Sequence, residues 1–144
     1  MPEATTGNVA LAPGATARVN PFLARRSDYA WFTSLRDAGL QAANTNQPLL
    51  IAYERRLSRD ASQLEPLLES LEVHRRVADM VPCRLTVWDA WSDPYDGPFG
   101  MLHLPAIILV WPDGQSDILQ RPVSIDPIVR FVEDARARFD SRSA

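Results

Sequence analysis

Cysteine is nearly absent: the chain has one, Cys83, so no disulfide can form within it and nothing marks an oxidising compartment. Histidine is almost as scarce, and two scattered histidines with one cysteine do not supply the ligand set of a metal site. No apolar run approaches the ~20 residues of a membrane helix. A net charge of -3 leaves no basic stripe of the kind that general nucleic-acid binders carry. Lysine is missing altogether, all fifteen basic residues being arginine, which fits a GC-rich coding sequence and also supplies planar forks suited to interface pairing. No cofactor is expected, and the chain is not expected to be membrane-embedded.

What is present is ordinary for one globular domain: 144 residues, 46% apolar and 23% charged. Residues 1–27 show neither helical nor strand periodicity and carry Pro2, Pro13 and Pro21, which reads as an extended N-terminal arm. Its short apolar stretch VALAPGATA lacks a preceding basic region and is broken by Pro13 and Gly14, so it does not read as a signal peptide, and a cytoplasmic location is the default. The domain is expected over 28–144. Ser27 or Asp28 can cap a first helix carrying Trp31, Leu35, Ala38 and Ala42 at helical spacing.

PLLIAY, residues 48–53, is apolar enough for a buried central strand. Leu64, Leu67, Leu68 and Leu71 then mark a second helix, interrupted and bent at Pro66. CRLTVW, residues 83–88, has strand composition, the segment DAWSDPYDGPFG reads as a loop, and LPAIILVW, residues 104–111, is the strongest strand. PDG after it is a turn leading to a hairpin partner, SDILQRP. A closing helix starts at Asp126 with Pro127 in its first turn and sets Ile128, Phe131, Val132, Ala135 and Phe139 on one face. That order implies a mixed sheet with helices on both faces.

Residues 48–139 resemble thioredoxin and the thioredoxin-like domains of bacterial disulfide interchange proteins, an α/β three-layer sandwich. In that family a strand ending in a buried acid leads through a tryptophan to the redox pair CxxC, and a proline-kinked helix follows. Laid on PLLIAYERRLSRDASQLEP without a gap, the resemblance puts Ala52 on the acid, Leu57 on the tryptophan, Ser58 and Ala61 on the two cysteines, and Pro66 on the kink. FGMLHLPAIILVWPDGQ is similar to the family's cis-proline segment, with His103 and Leu104 before a cis Pro105 and Ala106 where threonine is usual.

Thiol–disulfide exchange needs a thiolate to attack and a second thiol to release the mixed disulfide. Ser58-Arg59-Asp60-Ala61 supplies neither, so the resemblance implies a redox-inactive member rather than an enzyme. The expectation is a protein-binding module, an assembly chaperone or small accessory subunit of a larger protein complex. Arg55, Arg56, Arg59, Trp91, Tyr95 and Phe99 are its candidate contacts, because both segments follow strands and so gather at the carboxyl edge of the sheet. Two alternatives stand beside it. One is chemistry: a single-thiol redox protein using Cys83, with Arg84 lowering its pKa, or a Ser58–His103 hydrolase pair. The other is a purely structural subunit anchored by its arm.

Overall fold

The computed structural model describes residues 30–56, 63–88 and 94–144. The elements run α1 (Leu35–Thr45), β1 (Leu49–Arg56), α2 (Glu65–Leu68), α3 (Leu71–Val77), β2 (Val81–Trp88), β3 (Tyr95–Gly97), β4 (Gly100–Leu102), β5 (Ala106–Val110), β6 (Ser116–Gln120) and α4 (Ile125–Ser143). A four-stranded sheet has the order β2-β1-β5-β6, and β3 and β4 form a separate hairpin. β1 and β2 are parallel, with Leu49 opposite Val81 and Arg56 opposite Trp88. β5 is antiparallel to both β1 and β6. The sheet is mixed, as the element order implied.

Alternation along β1 divides the core in two. Leu50 and Ala52 face Leu64 and Leu68 of α2, Val73 and Val77 of α3, and Ile128, Val132 and Ala135 of α4. Leu49, Ile51 and Tyr53 face the other way, toward Ala38 of α1, Leu102 and Leu104. Each fully buried leucine or isoleucine contributes about 1.5–3 kcal/mol. Helices therefore cover both faces, giving three layers.

The first helix begins later than its apolar spacing predicts. Ser34 is the cap, its Oγ accepting from the Asp37 N–H, and Trp31 and Phe32 lie outside the helix. Phe32 instead extends the sheet: its N–H donates to the Pro82 carbonyl, and its own carbonyl accepts from the Arg84 N–H. Asn46, in the left-handed region at φ 55°, ends the helix.

Pro66 does not interrupt a helix either. It lies in the first turn of α2, where a missing N–H is harmless, and the chain breaks afterwards at Ser70, which caps α3 by accepting from the Val73 N–H. Leu71, at the start of α3, is exposed rather than part of the apolar face. The expected loop through Tyr95 and Phe99 contains the β3–β4 hairpin. The Leu104–Pro105 peptide is cis.

Candidate binding site at the carboxyl edge of the sheet

Strand register brings the end of β1 against the start of β5, with Tyr53 opposite Ala106. The segment His103–Ala106 thus sits at the end of the β1–β5 pairing, where β1 runs on into Glu54 and Arg55. Leu104 and Ala106 are buried, Pro105 is half-buried and His103 is exposed. The His103 N–H donates to Gln120 Oε1 at 2.7 Å, and the Pro105 carbonyl accepts from the Arg121 N–H at 2.7 Å, so the last residue of β6 and the one after it hold this segment in place.

Ala52, the position assigned to the family's acid, is buried against the helices beyond β1. The carboxylate that does occur is Glu54, two residues on and on the same face. It is 3% exposed and is the buried charged residue among those described. Its Oε1 accepts the Gln63 N–H at 2.8 Å, immediately before α2. The polar run YERR reads as the start of a loop, which is why sequence reasoning passes over Glu54; the signal available was that β1 continues through Arg56.

Tyr95 and Phe99 do not form an outward-facing anchor. Both are half-buried and meet Tyr53 edge-on, with ring centroids 6.2 Å and 6.4 Å away and planes inclined at 83° and 77°. The reason is the hairpin, which turns their rings toward the sheet. Burial, and then the neighbouring Tyr95 hydroxyl, raise the Tyr53 pKa. Gly97 makes this approach possible: a Cβ there would lie 2.6 Å from Tyr53 Oη. The exposed groups that remain at this edge are Arg55 on β1, Asp96 on β3, Met101 on β4 and His103. Arg56 closes β1. Leu57, Ser58, Arg59, Ala61 and Trp91 lie outside the described residues.

Cys83 is buried with no exposed surface, and desolvation pushes its thiol up to about 11. Arg84 does not assist it, because consecutive residues of a strand point to opposite faces. The Arg84 guanidinium lies across the sheet from the thiol, paired with Glu65 and 5.1 Å from the Trp31 ring centroid. Among the described residues no group of three His, Cys, Asp or Glu side chains could hold a metal ion, and no helix is long and apolar enough to cross a membrane.

No family model matches the sequence, and no curated protein matches it. The structure is similar to the C-terminal domain of DsbD from Neisseria meningitidis in its oxidised form, with a TM-score of 0.53 and 16% identity over 73% of this chain and 98% of that one. Two weaker likenesses fall below a TM-score of 0.5. A thioredoxin from Thermus thermophilus gives 0.45 at 13% identity, over 76% of this chain and 86% of that one. A disulphide isomerase from Xylella fastidiosa Temecula1 gives 0.39 at 13% identity, over 87% and 98%. Topology, helices on both faces and the first of these likenesses agree that the chain has a thioredoxin-like fold.

Proposed function

We propose that this chain is a non-catalytic thioredoxin-like module that binds another protein, as an assembly chaperone or a small accessory subunit of a larger complex, in the cytoplasm. The observation that carries the reading is the state of its one thiol. With a pKa of about 11 and no exposed surface, Cys83 offers neither a thiolate nor access at neutral pH. Exchange chemistry with a partner's disulfide then has no nucleophile among the cysteines, while the edge that carries Arg55, Met101 and His103 keeps groups suited to contact.

Two measurements test it together. In a dithiol-driven insulin reduction assay the chain should add nothing to the free-dithiol background; turnover above that background would end the non-catalytic reading. Photo-crosslinkers introduced singly at Met101, at His103 and, as a control on α4, at Arg130 should capture one common protein in the native cells from the first two positions only. Equal capture from Arg130 would remove the carboxyl edge as the working surface.

A further inference from the structure

Among the described residues, the four-stranded sheet carries a bridging residue at one side and none at the other. Beside β2, Phe32 supplies a bridging residue that uses the Pro82 carbonyl and the Arg84 N–H. Beside β6, no strand pairs among the described residues. The hydrogen-bond pattern shows which residues face that side. The Trp111 N–H donates to the Gln115 carbonyl and the Arg121 N–H to the Pro105 carbonyl. Bonded and non-bonded pairs alternate along an antiparallel ladder, so Ile107–Leu119 and Leu109–Asp117 exchange the bonds between these ends. Ser116, Ile118 and Gln120 therefore direct their N–H and C=O groups away from β5.

Edge strands are ordinarily defended by lysine, proline, a bulge or an outward charge. This one has none of these. Ser116, Ile118 and Gln120 are all exposed and uncharged, Ile118 at 39%, and the prolines Pro112 and Pro122 stand outside the strand. Its single charge, Asp117, is turned to the other face, where it accepts from Trp111 Nε1 and pairs with Arg138.

The geometry points to a second copy of this chain as the occupant. The outward backbone groups of β6, on Ser116, Ile118 and Gln120, are spaced evenly about Ile118. A two-fold axis through Ile118, with the strands antiparallel, sets Ile118 against Ile118 and Ser116 against Gln120, and each such pair can exchange two backbone bonds. The same register sets Asp117 beside Leu119 of the other copy. A parallel in-register pairing would instead stack Asp117 on Asp117, and like charges in direct opposition are destabilising. Charge and hydrogen bonding thus select the antiparallel arrangement, in which two sheets join into one.

Sedimentation of the full chain over a concentration series decides it. The weight-average mass should climb from 16.1 kDa toward twice that value. Ile118→Lys puts two cations on the axis and should hold the chain at monomer mass while it still unfolds cooperatively, because the residue is on the surface. A wild-type chain that stays monomeric throughout overturns the proposal, whatever else the edge then binds, and so does an I118K variant that still dimerises. Should I118K fail to fold, Ile118→Cys decides instead. Oxidation should yield a disulfide-linked dimer at this position and much less from Leu40→Cys on α1; equal yields, or none, overturn the proposal.

Discussion

The ring of Phe139 lies flat on that of Trp111, centroids 4.9 Å apart and planes inclined by 11°. Trp111 directly follows β5 and is buried, its Nε1 donating to Asp117 of β6, while Arg136 lies 5.7 Å from its ring centroid. One side chain therefore joins the sheet to the last helix. Trp111→Ala should cost about 3–5 kcal/mol of stability, as for other large-to-small changes at buried aromatics. Phe139→Ala, at a half-buried position, should cost about half as much. Urea denaturation checks both, and a Trp111→Ala loss under about 1 kcal/mol would remove this stack as the tie.

Cys83 should be silent toward a thiol reagent in the native chain and react only as fast as the chain opens, which timed labelling with and without denaturant would show. Its titration also sets a direction for stability. The folded thiol holds its proton up to about 11, above the ordinary value of 9.0. Between those values the unfolded chain has lost a proton that the folded chain keeps. The contribution is whole below pH 9 and declines by about 1.4 kcal/mol per unit as pH rises toward 11. Cys83→Ala should flatten that decline in a pH series of melts; an unchanged slope would show that the thiol is not its source.

Gly97→Ala should disturb the hairpin out of proportion to one methyl group, because the added carbon would meet the Tyr53 hydroxyl and the Tyr95 ring. A cost of about 1–3 kcal/mol is expected for overpacking of this kind. The double variant with Tyr53→Phe should recover part of it, since the hydroxyl is then gone. If the two changes prove additive, the clash is not with Tyr53.

Glu54 gives the clearest pair of substitutions. Glu54→Gln keeps an acceptor for the Gln63 N–H and should cost under about 1 kcal/mol, whereas Glu54→Ala strands that donor and leaves a void, for about 2–4 kcal/mol. Chemical denaturation of both variants provides the comparison. Equal losses would mean that the charge, rather than the acceptor, is what the fold requires.

The strands of the sheet were legible because their residues repeat what burial on both faces demands: PLLIAY and LPAIILVW are almost wholly apolar, and both became central strands. The closing helix was legible from its spacing, and Ile128, Val132 and Ala135 are buried as that spacing predicts. The first helix was misread because Trp31 satisfies the same spacing by coincidence, while Phe32 beside it is spent on the sheet. β3 and β4, at three residues each, are too short for alternation to show. At the candidate site the position of the cis-proline segment followed from sequence, but the inward turn of Tyr95 and Phe99 depends on a hairpin that only the folded chain reveals. Glu54 escaped notice for a related reason, since a carboxylate in a strand declares its burial only through the backbone N–H that it meets.

β2 places a buried thiol and a guanidinium on adjacent residues with the whole thickness of a sheet between them. The burial of Cys83 is thus a matter of phase rather than of neighbourhood. Shifting β2 by a single residue would exchange the two faces, moving sulfur to the side where Glu65 and Trp31 now hold an arginine and driving the arginine into the apolar layer. The sheet works here as an insulator, and the reading frame of one strand decides on which side of it the sulfur lies.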